Sequence, residues 1–253
     1  MNLKCLLTRV VLKLTTFIFP IYKPGKSPIR IPSEYIVFSN LPFDKIPNHI
    51  VDPLIKAYQN IFAREPWNEK WTKQEIISKL KKELSGDYFY LVLMKGDKEW
   101  PVAALHWGAI ITVDDLLERI TYVLGEETEI IKKTKWLEIF LEKKGVKRIL
   151  FLDDVLIVKN FRHGGVNRIR FLFLHGIEKS VEEGVKKVIF WTNSKSKALS
   201  FATLMGFEPI LTVKVNNKKI VFLYHPNIRP LVKLSQNIGP KRIKTMMKLI
   251  SNF

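Results

Sequence analysis

RILFLDDVLIVKNFRHGGVNRIRFLFLHGI, residues 148–177, decides how the rest of the chain is arranged. Its first part, 148–158, is apolar on both alternating faces apart from Arg148 and one aspartate pair, and reads as a buried strand rather than an edge. From about 168 the apolar residues recur at helical spacing, giving a helix that runs through RIRFLFLHGIEKSVEEG. Between the two lies a glycine pair, Gly164-Gly165, preceded by Arg162 and His163. Glycines at a strand-to-helix junction let the backbone approach a ligand closely, and the first N–H groups of the helix point at whatever anion sits there. A plain tight turn would use the same two residues. KKVIFWTN, 186–193, is a second strand of buried character. Strand, loop, helix and strand make a βαβ unit, so these two strands are expected to run parallel.

Working outward, EYIVFSN (34–40) reads as a strand, being β-branched and aromatic. A helix over roughly 48–64 follows Pro47-Asn48, and another starts after Thr72 with KQEIISKLKKEL. YFYLVLM (88–94) and VAALHWGAII (102–111) form a hairpin across KGDKEW. Residues 113–145 are acidic and helical in period, broken at Gly125. That connection is longer than two neighbouring strands need. It reads as an element for acceptor selection or dimerisation, or as a plain surface hairpin. KSKALSFATLMGF is a further helix ending at Gly206, and PILTVKV and KKIVFLYH flank an Asn216-Asn217 turn. The expected class is α/β (α+β), with a mixed, mostly antiparallel central sheet, one parallel pair and flanking helices. Trp100, Trp107, Trp191 and the phenylalanines at 171–173 read as core.

Composition narrows the function classes. With 47% hydrophobic residues and 6 tryptophans the chain can bury a sizeable core, which excludes wholesale disorder. The single cysteine, Cys5, cannot close an intramolecular disulfide, and no Cys/His spacing suggests zinc. A reducing cytoplasm is the simplest compartment. The formal charge of +18 is unevenly placed. Residues 1–30 carry Lys4, Arg9, Lys13, Lys23, Lys26 and Arg30, and residues 229–253 carry Arg229, Lys233, Lys241, Arg242, Lys244 and Lys248, with no acid in either stretch. A polyanionic partner, nucleic acid or an anionic surface, would meet these ends first. Three segments follow: a basic N-terminal extension (1–33), a central domain (34–226) containing the helical stretch 113–145, and a basic tail (227–253). LLTRVVLKLTTFIF near the start is interrupted by Arg9 and Lys13 and is shorter than the ~20 apolar residues of a spanning helix. No transmembrane segment and no cleaved signal peptide are expected, while a basic amphipathic segment that lies on a membrane or packs on the body of the protein stays open.

The loop lacks the Gly-Lys-Ser/Thr of a P-loop and the G-x-G-x-x-G of a dinucleotide fold. It resembles the coenzyme A loop of the GNAT superfamily of N-acetyltransferases, Arg/Gln-x-x-Gly-x-Gly/Ala at a helix start, with Arg162, Gly165 and Asn167 at the motif positions. The preceding Asp153-Asp154, Ile157 and Phe161 also fit the family's approach to that loop. KSKALSFATLMGF is similar to its second signature at Ala198, Phe201, Gly206 and Phe207, and IFAREPWNEKWT to the first-helix region of some members. The resemblance covers roughly 34–226 and is tightest over 148–209. Two positions depart from it: Asn167 stands where the family has Gly or Ala, and Ala202 stands where many members carry a tyrosine that protonates the leaving thiolate.

The resemblance implies that the parallel strands splay at their C-terminal ends and take the pantetheine arm of acetyl-CoA along Leu156, Ile157 and Val158. The pyrophosphate would sit on the N–H groups of His163, Gly164, Gly165, Val166 and Asn167, with Arg162 and Arg168 adding charge. Asn193, at the end of the second strand, would touch pantetheine, or else cap the next helix. One of Asp153 and Asp154 would take the proton of the amine, while strand alternation sends the other to the opposite face; an ion pair with a neighbouring Lys or Arg is the plainer role. The function implied is N-acetyl transfer from acetyl-CoA to an amine on a small molecule, peptide or protein, with oligomerisation open. The competing reading is an inactive protein of this fold that binds nucleic acid or an anionic surface through its basic termini.

Overall fold

The computed structural model describes residues 33–164 and 166–229. The two acid-free basic ends, apart from Arg229, lie outside the described residues, as do Gly165 and the side chains of residues 162–171. The chain runs β1 (Tyr35–Ser39), α1 (Asn48–Phe62), α2 (Lys73–Glu83), β2 (Tyr88–Lys95), β3 (Val102–Thr112), α3 (Val113–Leu124), α4 (Thr128–Lys143), β4 (Arg148–Ile157), α5 (Val166–Glu182), β5 (Val188–Asn193), α6 (Lys197–Leu204), β6 (Glu208–Val215) and β7 (Lys218–His225). Local chemistry sets several boundaries. Thr72 and Glu75 close a capping box at the start of α2, and Thr112 and Asp115 do the same for α3. Asn216 and Asn217, at φ 47° and 63°, make the β6–β7 turn, which needs two left-handed residues.

The strands form one 7-stranded sheet in the order β1-β2-β3-β4-β5-β7-β6. Every neighbouring pair is antiparallel except β4 and β5, which are parallel. This is the mixed, mostly antiparallel sheet with one parallel pair that the sequence predicts. Helices cover both faces. On one face, α1 and α2 lay Leu54, Tyr58, Ile76 and Leu80 on Leu91, Leu105 and Trp107. Beside them α3 and α4 lay Leu116, Ile120, Leu137 and Leu141 on Ile111, Ile149, Phe151 and Phe222. The stretch 113–145 is therefore a layer of the core, not an appendage. The other face carries α5 and α6, with Leu172, Ile177 and Ala202 against Tyr90, Ile110, Leu152 and Val188.

Two features of β4 position everything that follows. His106 pairs with Val155 and Gly108 with Leu152, so Asp153 and Asp154 together oppose the single residue Trp107. That is a β-bulge, and the extra residue bends the strand. Pairing of β4 with β5 runs from Leu150↔Val188 to Leu152↔Phe190 and ends there, while β5 continues along β7 to Asn193. The parallel strands thus part at the bulge, toward their C-terminal ends.

The face under α5 depends on close approach to Tyr90. A Cβ on Gly176 of α5 would fall 2.1 Å from the Tyr90 hydroxyl, and one on Gly108 of β3 would fall 2.5 Å from the Phe151 carbonyl oxygen. Gly176→Ala should therefore destabilise the protein by roughly 1–3 kcal/mol in urea unfolding, despite alanine's better helix propensity. Unchanged or raised stability would show that α5 does not seat on Tyr90 in this way.

Candidate functional site

The bulge turns two neighbouring carboxylates toward one ammonium. Lys79 Nζ, from α2, lies 3.6 Å from Asp153 Oδ1 and 3.2 Å from Asp154 Oδ2, and pairs with Glu83 one helical turn away. Strict alternation would put the two aspartates on opposite faces. The structure corrects that expectation: the inserted residue lets both carboxylates reach the same lysine, so the pairing with a neighbouring lysine is real.

Burial makes this cluster electrostatically tense. Lys79, Glu83 and Asp153 are 4%, 1% and 3% exposed, so none is stabilised by bulk water. Neither carboxylate oxygen of Asp153 has a hydrogen-bond donor among the described residues. Burial, reinforced by the Asp153 charge, pushes the Glu83 carboxyl well above its usual range. Burial also raises Asp154 to about 6, with Lys79 restraining the rise and Asp153 adding to it. Burial alone would lower Lys79, but the carboxylates of Asp153, Asp154 and Glu83 outweigh it and hold the ammonium firmly protonated.

Neighbouring groups fix the cluster in place. The Tyr58 hydroxyl donates to Asp154 Oδ2 at 3.2 Å, and burial followed by the Asp154 charge keeps that phenol protonated. Trp107 Nε1 donates to Glu83 Oε2 at 2.9 Å. Arg119 of α3 donates to the carbonyls of Glu83 and Ser85, both at 2.7 Å, and so holds the end of α2. From the opposite face, His106 Nδ1 lies 3.1 Å from the Asp154 carbonyl oxygen and its Nε2 lies 2.8 Å from the Tyr90 hydroxyl. A carbonyl only accepts, so Nδ1 carries the proton, and Tyr90 donates to Nε2. Burial lowers His106 to about 3, so the ring is neutral and serves as a fixed support for a carbonyl that the bulge removes from the regular ladder.

Three carboxylates whose oxygens lie within 4.8 Å of one another could in principle hold a metal ion. The Lys79 ammonium already stands among them, which supplies the cation that such a cage would otherwise need.

The opening between β4 and β5 lies beside this cluster. The Val158 amide donates to the Ala103 carbonyl at 2.9 Å, and Leu156 pairs with Leu105, so the backbone groups of both residues face β3. By alternation, those of Val155 and Ile157 face the side from which β5 has turned away. The strand edge presented to the opening therefore runs through Val155 and Ile157 rather than Leu156 and Val158. Beyond it, residues 159–164 form a 3₁₀ turn and α5 begins at Val166. Arg162, His163 and Gly164 thus stand in the turn and Val166, Asn167 and Arg168 in the first turn of the helix, which is the order that the glycine loop predicts.

Asn193 is buried at the end of β5. Its carboxamide oxygen accepts from the Lys195 amide at 2.9 Å and its nitrogen is 3.4 Å from the Pro66 carbonyl oxygen, so it caps the following turn and ties down the α1–α2 connection. The same connection is held by Glu69, which pairs with Lys218 at 2.7 Å and accepts from Trp71 Nε1 at 2.8 Å. Ala202, at the tyrosine position of the resemblance, is buried and brings no hydroxyl.

No protein-family model and no curated protein matches the chain. Among solved structures it is similar to arylalkylamine N-acetyltransferase 2 from Aedes aegypti, at 14% identity and TM-score 0.48 over 77% of this chain and 99% of that one. It is similar to a Drosophila melanogaster polyamine N-acetyltransferase at 12% identity and TM-score 0.48, over 76% and 99%. The ribosomal-protein-S18-alanine N-acetyltransferase from Escherichia coli gives 10% identity and TM-score 0.45, over 75% and 92%.

The charge cluster makes a stability prediction. Asp154 binds its proton more tightly folded than unfolded, so its contribution is full below about 4 and is lost as pH rises through about 6. Lys79 limits that loss. Lys79→Met should cost about 3–5 kcal/mol near neutrality, and more at pH 8 than at pH 5, in urea titrations. A cost independent of pH would mean that Lys79 does not balance these carboxylates.

Proposed function

We propose that the protein transfers an acetyl group from acetyl-CoA to an amine, at the place where β4 leaves β5. The observation that carries this reading is the coincidence of three things at one bulge: an opened parallel strand edge, a helix start behind a Gly-Gly turn, and a buried carboxylate titrating near neutrality. An opened edge suits a ligand with amide groups of its own, because such a ligand can pair with the strand as a neighbour would. Pantetheine has two amides in line. In this reading Val155 holds the arm. The N–H groups at residues 163–167 take the pyrophosphate, Arg162 and Arg168 add charge, and Asn193 shapes the far wall. When bound, acetyl-CoA supplies an electrophilic thioester carbonyl and a thiolate leaving group.

The chain's own task is then to prepare the amine. An aliphatic amine is an ammonium at neutral pH and attacks only after losing a proton. Asp154 is the member of the cluster suited to take it: its side chain is 15% exposed against 1% for Asp153, and its carboxyl titrates at about 6. Asp153, Lys79 and Tyr58 hold that carboxylate in place and set its affinity for the proton. With Ala202 in place of a tyrosine, the sulfur leaves as the thiolate and takes its proton from solvent. The α1–α2 connection, pinned by Glu69 to Lys218 and by Pro66 to Asn193, walls the approach for the amine. The acceptor class stays broad, a small molecule, a peptide or a protein, and a reducing cytoplasm belongs to the same reading.

A thiol-release assay over an amine panel tests the assignment. The wild-type rate should fall below pH of about 6, where Asp154 becomes protonated. Asp154→Asn should lower turnover by ~10²–10⁴-fold and remove that acid limb while acetyl-CoA affinity is unchanged. Full activity and an unchanged profile in Asp154→Asn would remove this carboxylate from the mechanism.

A further inference from the structure

The opposite ends of β4 and β5 carry a second feature that acetyl transfer does not use. Both strands are entered through the same pattern, Gly145-Val146-Lys147-Arg148 before β4 and Gly184-Val185-Lys186-Lys187 before β5. Each valine is buried and anchors its turn. Each glycine has a positive φ, 60° and 74°, and a Cβ there would meet nothing within 4 Å, so the outer side of both turns is open. Between them lies a cavity of about 380 Å³, lined by Lys147, Arg148, Lys186, Lys187 and one acid, Glu183.

Four cations around one opening are often explained by helix C-termini, whose carbonyls attract positive charge. That explains only part of this group. Lys187 Nζ does donate to the carbonyls of Lys144 and Gly145 at the end of α4, and Arg148 Nε lies 3.0 Å from Asp87 Oδ2. Glu183 is paired with Lys179 at 3.2 Å, so the acid in the lining is already compensated. The side chains of Lys147 and Lys186, both exposed, have no hydrogen-bond or ion-pair partner among the described residues. They flank the opening as two uncompensated cations.

The cavity is also where the basic tail departs. The Ile228 amide donates to the Lys186 carbonyl at 2.7 Å, which brings Arg229 and the start of the acid-free tail beside the cavity.

We propose that this cavity is a phosphate-binding foothold for a nucleic-acid strand, separate from the acetyl-transfer site. A concave site lined by lysines suits discrete phosphates. A bilayer would also ask for apolar side chains to insert, and the valines of both turns are buried. No aromatic residue among the described residues lines the cavity, so the site offers phosphate contacts rather than base stacking and binding is independent of sequence.

The test is fluorescence anisotropy of the full chain with a labelled single-stranded RNA and a labelled duplex DNA of mixed sequence, titrated with salt. Wild type should bind at low salt, with log affinity falling linearly against log salt. Lys147→Gln/Lys186→Gln removes two exposed cations and should reduce the single-strand slope by about 1.4, at ~0.7 for each lost phosphate contact. Lys147→Glu/Lys186→Glu should cost at least about tenfold in affinity near 50 mM salt. Lys98→Glu/Lys132→Glu changes net charge equally at exposed positions elsewhere, and should leave the slope near the wild-type value. Acetyl-CoA binding should be unaffected in all three variants. The proposal is overturned if neither nucleic acid binds at low salt, if the Lys98/Lys132 variant loses as much as the cavity variants, or if only phosphatidylserine vesicles are bound.

Discussion

Setting two residues of β4 against Trp107 is the constraint on which the functional end of the molecule depends. Trp107 is fully buried, stacked at 6.0 Å on Tyr58 and 5.4 Å from the Lys79 ammonium, and it cannot move aside. The extra residue must therefore be absorbed by β4, which bends. One local insertion produces both halves of the site. It separates β4 from β5, which opens an edge, and it swings Asp153 and Asp154 toward the same lysine. His106, neutral and clamped between the Tyr90 hydroxyl and the Asp154 carbonyl, braces the bulge from behind.

The protein keeps two charge systems apart. Its surface and ends are strongly cationic, yet at the centre one lysine faces three carboxylates. Lys79 is the one cation paired with Glu83, Asp153 and Asp154 among the described residues, so the carboxylates outnumber it. A buried unbalanced carboxylate is costly, and such strain persists where function makes use of it. An arriving ammonium would complete the balance, and that gives the buried end a preference for a cationic amine that the basic surface does not share. The two systems lie at opposite ends of the same parallel strands.

Much of the fold was legible because local chemistry and tertiary packing agree. Thr72 announces its helix, the Asn216-Asn217 turn fixes its hairpin, and the Gly164-Gly165 junction separates β4 from α5 as its position requires. The parallel pair followed from strand, loop, helix and strand alone. The aspartates were legible as carboxylates but not in their direction, since a bulge is set by what lies opposite and Trp107 is distant in sequence. Lys79 and Glu83 went unnoticed because an i,i+4 pair of opposite charge usually marks a solvent face. A signal was present: Ile76, Lys79, Leu80 and Glu83 share one helical stripe, so two charges stand in an otherwise apolar face. The role of 113–145 was ambiguous for a related reason, as amphipathic helices do not reveal which sheet they cover.

The central claim is that the opened edge of β4 receives the arm of acetyl-CoA, and amide hydrogen exchange along that strand tests it most directly. With saturating acetyl-CoA, the amide at Val155 should become more protected, as it gains a neighbour on the side that β5 has left. The Val158 amide, already bonded to the Ala103 carbonyl, should change little. Exchange at Val155 that is the same with and without acetyl-CoA would contradict the account.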